Sequence, residues 1–321
     1  METVRIGGRR YSDPDIISLA KRTGELICPR FTIRTQARLL LNELDQHSGL
    51  PQDPFARIKI LASLNKIKIK PMDLESQRRE QRDAVLYPVD SGWLILYNPR
   101  RPSGRTLFTL AHEIIHTLFP NSASGARFRS ITNPESREAN ELERLCDLGA
   151  AELVLPLVEF QKQTNGNYSL ADVGRLSNHF GTSFEATTFR LASAHPGFAV
   201  AGLLRHRRRL SEEREVIKVS SQQLLFSNLK ESVGQAAEKK YRRQSAHLSE
   251  QCGSECDIPW NKSFELDSIV YQAEEKWIAT AVESLPNRSK KMGRIEAIVA
   301  PYQREVGEEF PDVLFFWEEI R

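Results

Sequence analysis

The sequence predicts an α+β protein: a mostly helical core beside a small antiparallel sheet, followed by a C-terminal α+β region with its own antiparallel sheet. Three observations predict it. Apolar residues recur at helical spacing through 35–47, 54–64, 107–120 and 133–154. Two shorter runs, 84–89 and 93–97, flank Asp90-Ser91-Gly92, which is a hairpin signal. Beyond residue 197 the apolar runs become short and strand-like, separated by charged stretches. At 321 residues, 40% hydrophobic and 27% charged, the chain is an ordinary globular one of one large or two medium domains.

The net charge of +3 says little about partners. The four cysteines, Cys28, Cys146, Cys252 and Cys256, are too few and scattered for a disulfide scaffold. The opening METVRIGGRR lacks the apolar core of a signal peptide. No apolar run approaches the ~20 residues of a membrane span. The expectation is a cytoplasmic chain with no membrane partner.

Taken in order, residues 1–32 read as a loosely packed lead-in with one short helix between Asp13 and Arg22. Helices follow over Thr35 to His47 and Pro54 to Leu64, then a strand from Ile67. Glu75 to Arg82 is a charged connection, and the hairpin 84–97 comes next. Asn98 to Gly104 then leads into an apolar helix over Leu107 to Pro120. The polar stretch Asn121 to Thr132 reads as a mobile loop. Asn133-Pro134 is a helix start, and that helix runs to Val154.

The segment Leu107 to Pro120 carries the chemistry. His112, Glu113 and His116 form H-E-x-x-H. On a helix, residues four apart share a face, so both imidazoles can reach one metal ion. Glu113 sits about 100° round the helix, placed to hold a water. Two histidines and a glutamate among apolar residues cost several kcal/mol (roughly) unless paired or metal-bound. The following helix offers a third ligand among Glu135, Glu138, Glu141, Glu143 and Glu152. Glu138 and Glu143 border its apolar stripe more closely than Glu141 or Glu152, and geometry alone does not choose.

Here the chain resembles the ImmA/IrrE family of zinc metallopeptidases. Phe108-Thr-Leu-Ala-His-Glu-Ile-Ile-His is similar to the family's F-T-x-A-H-E-x-x-H. Glu143-Arg-Leu-Cys-Asp-Leu-Gly-Ala-Ala-Glu-Leu-Val-Leu-Pro is similar to its E-x-x-A-N-x-F-A-A-x-L-L-M-P. Leu170 to Leu191 resembles its trailing helix pair. The resemblance implies a zincin-like metallopeptidase over 33–195, followed by a sensor-like domain over 197–321. It implies Zn²⁺ held by His112, His116 and Glu143, with Glu113 as the catalytic base. Cys146, Asp147 and Gly149 depart from the family pattern; they are expected to alter packing without touching a ligand. Two imidazoles and a carboxylate leave one coordination position open, the mark of a catalytic zinc. The resemblance further implies cleavage of a helix-turn-helix repressor under stress or DNA damage, with single-stranded DNA as a signal. His179 and Tyr168 are conceivable oxyanion donors, though an exposed histidine and a core tyrosine are the plainer readings. The pair at 170–191 can also be read as a helix-turn-helix, but its second helix has Arg190 as its one cation, which favours completion of the protease core.

In the C-terminal region, strands are expected over Phe198 to Leu204, Val216 to Ser220 and Arg294 to Val299, with Ser268 to Val282 strand-rich and 221–239 mixed or helical. Basic clusters at Arg205, Arg207, Arg208 and Arg209, at Lys239, Lys240, Arg242 and Arg243, and at Arg288, Lys290 and Lys291 could neutralise phosphates, with Tyr241 stacking on bases. Cys252 or Cys256 could supply a thiolate to the open zinc position and hold the enzyme latent. The competing reading is a DNA-responsive regulatory or scaffold protein with a vestigial zinc site. The intact His112, Glu113, His116 and Glu143 argue against it.

Overall fold

A computed structural model describes residues 3–6, 9–21, 28–47, 49, 51–74, 82–119, 127–130, 137–209, 211–212, 238–252, 257–274, 277–287, 291–301 and 310–320. The chain divides into two compact units. The first holds 1–163 with 177–183, and the second holds 164–176 with 184–321.

The first unit opens with a small ladder, β1 (Val4–Ile6) and β2 (Arg9–Tyr11), and α1 (Pro14–Lys21). Far from loose, this lead-in buries Ile16, Leu19 and Ala20 completely, because α1 lays its apolar face on α2 (Pro29–Asp45). The next helix, α3 (Pro54–Leu64), has the expected bounds. Asp53 caps it by accepting from the amides of Phe55 and Ala56, with Pro54 preset for the first turn.

The sheet runs β3 (Ile67–Pro71), β5 (Gly92–Tyr97), β4 (Arg82–Val89), β6 (Arg127–Ser130) in spatial order. It is mixed rather than antiparallel: β3 pairs parallel to β5 while the hairpin β4–β5 and the edge β4–β6 are antiparallel. The parallel pair arises because β3 joins β5's free edge instead of β4's, which β6 takes. Part of the expected loop 121–132 is therefore a strand. The charged connection 75–81 and the expected helix start at Asn133-Pro134 lie outside the described residues. Gly92 turns the hairpin at φ +136°, and a side chain there would strike the Lys66 carbonyl, which accepts from Trp93.

Two further helices complete the site. The metal-motif helix α4 (Ser103–His116) starts earlier than its apolar run suggested. Asp83 of β4, almost fully buried, accepts from both Arg101 and Arg105 at 2.8 Å and so ties the start of α4 to the sheet. The other helix, α5 (Arg137–Val154), crosses α4 at Gly149. A Cβ there would lie 2.9 Å from three side-chain atoms of Ile115, a stiff β-branched residue that is fully buried. Replacing Gly149 with alanine should destabilise the first unit by about 1–3 kcal/mol despite alanine's better helix propensity. Denaturant unfolding checks this, and a stabilised variant would refute the close crossing.

After α6 (Leu157–Thr164) comes α7 (Val173–Phe180), and then α8 (Phe184–Ala194). The expected trailing pair is shared between the units: Ser177–Ser183 falls in the first and Phe184–Ala194 in the second. In the second unit the five-stranded antiparallel sheet runs β8 (Lys240–Leu248), β7 (Ala199–Arg207), β11 (Val313–Glu319), β10 (Met292–Val299), β9 (Ala279–Ser284). One face buries Val200, Phe315, Trp317 and Ile295 against Ile258, Phe264 and Val270. The other receives α8, whose Phe184 and Phe189 pack around Leu203 and Leu314. The stretch 268–282 is only partly strand, since Ile269–Gln272 forms a 3-10 turn. The expected strand at 216–220 and most of 221–239 lie outside the described residues.

Glu318 on β11 bonds His195 at 3.0 Å and Arg294 at 2.8 Å. The His195 bond, with help from Arg294, outweighs burial and lowers its pKa from 4.5. A depressed acid contributes stability above its unfolded pKa and loses it as pH falls through the folded value. Wild-type stability of this unit should therefore fall more steeply below about pH 4.5 than that of Glu318→Gln. Parallel pH slopes in the two proteins would contradict this.

Candidate metal centre

Helix α4 presents His112, Glu113 and His116 to α5, and all three are at most 3% exposed. The i, i+4 spacing turns the two rings together, with Nε2 to Nε2 at 3.0 Å. From α5, Glu143 places Oε2 3.1 Å from His112 Nε2 and Oε1 3.4 Å from His116 Nε2. Burial pushes the Glu143 carboxyl up, but hydrogen bonds and charge from His112 and His116 outweigh it and hold the acid well below the ordinary carboxylate range.

The fit to zinc can be tested on these distances. Ligand atoms about 2.0–2.1 Å from zinc at tetrahedral angles stand about 3.3 Å from one another. The separations here are of that size: 3.0 Å between the two Nε2 atoms, 3.1 Å from His112 Nε2 to Glu143 Oε2, and 3.4 Å from His116 Nε2 to the other oxygen of the same carboxylate. Glu113 supplies a second, independent sign. Both of its carboxylate oxygens are buried with no hydrogen-bond partner among the described residues. A buried carboxylate is costly unless something meets it. A water held beside a metal ion is what such a group would receive.

The remaining ring nitrogens also have partners. His112 Nδ1 lies 2.9 Å from Asp147 Oδ1, and His116 Nδ1 lies 3.4 Å from Cys146 Sγ. The expectation that Cys146 and Asp147 touch no ligand is thus overturned. Lying three and four residues after Glu143, they share its face of α5, a signal the spacing already contained. Such partners fix ring orientation and ligand basicity.

Among the described residues, ligand-type atoms of His112, His116 and Cys146 lie within 4.8 Å of one another and form a possible metal group. Cys146 and Glu143 thus compete for the third position. The geometry favours Glu143, because its oxygens face both Nε2 atoms while the sulfur approaches the other nitrogen of His116. Cys146→Ala should retain stoichiometric zinc and weaken it at most about 10–100-fold, whereas Glu143→Ala should weaken it further. A thiolate-to-cobalt charge-transfer band in cobalt-loaded wild type would put sulfur on the metal and reverse this assignment.

The other glutamates of α5 have structural partners or lie undescribed. Glu152 is buried against Arg38 at 2.9 Å and accepts from the Leu157 amide. Glu141 lies 3.9 Å from Arg30. Glu135 is outside the described residues, and the side chain of Glu138 is likewise not described. His179 is exposed, edge-on to Phe180. Tyr168 is buried in the second unit beside His195.

In the second unit the basic residues are sorted by their partners. Arg205 forms a two-pronged pair with Asp312, and Arg209 bonds Glu212 through backbone and side chain. Arg242 is buried and donates to the carbonyls of Arg207 and Asn261. Arg207 and Arg243 lie over the ring of Trp260, a residue the sequence analysis did not single out. Lys239 is exposed, Lys240 and Arg208 half-buried. Of the third cluster, Lys291 bonds Glu319 at 3.1 Å, and 288–290 are outside the described residues. Cys252 donates to the Ala199 carbonyl at 3.4 Å within its own unit, and Cys256 is not described. No helix among the described residues is long and apolar enough to cross a membrane.

Residues 63–192 match the family model of the IrrE N-terminal-like domain (Peptidase_M78). The resemblance read from the two motif blocks holds over that stretch. No curated protein matches the chain. Among solved structures, a Mycobacterium tuberculosis transcriptional regulator is similar in fold, with a TM-score of 0.53 at 13% identity, covering 89% of this chain and 76% of that one.

Proposed function

We propose, from the IrrE N-terminal-like domain at residues 63–192, that this chain is a zinc-dependent endopeptidase. The observation that carries the reading is the convergence of His112, His116 and the Glu143 carboxylate, with buried Glu113 next to His112 and neither of its oxygens partnered among the described residues. His112 and His116 would hold zinc through Nε2 and Glu143 through its carboxylate. Bound there, zinc would supply Lewis acidity, lowering the pKa of water towards ~7 and polarising a carbonyl. Glu113 accepts the proton of the attacking water and returns it to the leaving amine. Asp147 and Cys146 hold the two rings in the orientation that points both Nε2 atoms at one place.

The substrate is a helix-turn-helix repressor cut at one site, and the second unit receives the signal that starts cleavage. The test is direct. Zinc-loaded protein is incubated with the repressor encoded by the adjacent reading frame, with and without DNA, and products are read by mass spectrometry. A single new terminus in the repressor supports the reading. An intact repressor under both conditions, with zinc bound at one equivalent, counts against this substrate.

A further inference from the structure

The second unit carries a group of side chains that the zinc chemistry leaves unused. Strand β8 is the outer strand of its sheet, and its register sets Arg242 opposite Arg205 and Lys240 opposite Arg207. Like charges placed directly opposite destabilise a ladder, so this concentration of cations calls for a reason. Arg205 has one in Asp312. Arg207 and Arg243 are less well served. Arg207 gives one nitrogen to the Arg243 carbonyl, and Arg243 pairs through one nitrogen with Asp257. The Nε of each is buried with no hydrogen-bond partner among the described residues.

Both guanidiniums lie over the indole of Trp260, at 5.5 and 4.9 Å from the ring. The indole is nevertheless 50% exposed. Its segment is held in place from beneath. Arg242 donates to the Asn261 carbonyl at 2.9 Å, Ser263 bridges to Arg242, and the Phe264 amide donates to the Tyr241 carbonyl. An exposed tryptophan fixed this firmly, with two cations against its ring, combines a stacking surface with phosphate-binding charge.

We propose that Trp260, Arg207 and Arg243 form a binding site for a nucleotide unit, with the base stacked on the indole and the phosphate met by the two guanidiniums. The unit comes either free or as part of a single strand, since both present the same base and phosphate. An acidic peptide would satisfy the charges but leave the indole without a planar partner. The site is independent of the zinc centre, so either can fail without the other.

The experiment uses the full chain and a fluorescein-labelled 12-nucleotide single strand, read by anisotropy at several salt concentrations. Binding is measured on wild type and on Glu113→Gln, which separates it from hydrolysis. Trp260→Ala should weaken binding about 5- to 100-fold, the range of one base stacked on an aromatic ring. Trp260→Phe keeps a ring and should stay within a fewfold of wild type. Arg207→Gln and Arg243→Gln should each reduce the salt slope by about one. Competition by AMP assigns the site to free nucleotides, and its absence assigns it to the strand; both support the site. Equal affinity of wild type and a folded Trp260→Ala protein overturns the proposal. So does equal competition by a polyglutamate peptide of matched charge.

Discussion

Glu113→Gln is expected to lower peptide hydrolysis by about 10²–10⁴-fold, the usual contribution of a positioned general base, while zinc content stays at one equivalent. The physical reason lies in where the side chain sits. Glu113 follows His112 on α4, is 1% exposed, and has no hydrogen-bond partner on either oxygen among the described residues. Among the described residues it therefore holds no hydrogen bond or ion pair that the fold relies on. Glutamine keeps the shape and removes only the ability to take a proton. The same observation predicts a second readout. In zinc-free protein the buried, unpartnered carboxylate is a cost to the fold, so Glu113→Gln should unfold at a temperature no lower than wild type. Loss of stability together with activity would mean that Glu113 supports the fold. Full activity in the variant would remove it from the mechanism.

Removing zinc should lower the unfolding temperature of the first unit by on the order of 10 °C. A ligand present at about a thousandfold over its dissociation constant stabilises by roughly 4 kcal/mol. At about 2–4 °C per kcal/mol for a unit of this size, that becomes a shift of this order. The proposed ligands would join α4 to α5, whose crossing is central to the first unit. His116→Ala should abolish the zinc-dependent shift and leave the second unit's unfolding unchanged, because His112, His116 and Glu143 all lie in the first unit. Metal analysis and calorimetry with and without chelator check this together. A wild type that binds no zinc and shows no shift would end the metallopeptidase reading.

Much of the first unit was legible in advance. The bounds of α3, the hairpin β4–β5 and the existence of the metal-motif helix all follow from local signals: an apolar helical period in the two helices and an Asp-Ser-Gly turn in the hairpin. The mixed character of its sheet was not legible, because pairing β3 with β5 is a choice between edges that no local pattern encodes. In the second unit β8 went unread, since its basic residues resemble a solvated run. Pairing with β7 and the burial of Tyr241 and Arg242 make it a strand.

By itself the sequence determined that His112 and His116 would converge, because four residues on a helix return to the same face whatever surrounds them. Family motifs carried Glu143 to the same point. Only the tertiary structure decided how that point is built. The close crossing at Gly149 and Ile115 sets the face of α5 towards α4, and so brings Glu143, Cys146 and Asp147 to particular ring nitrogens. It also decided which arginines of the second unit are spent on Asp312 and backbone carbonyls and which lie against Trp260. Partners distant in sequence meet through packing, and packing is a property of the whole fold rather than of any one segment.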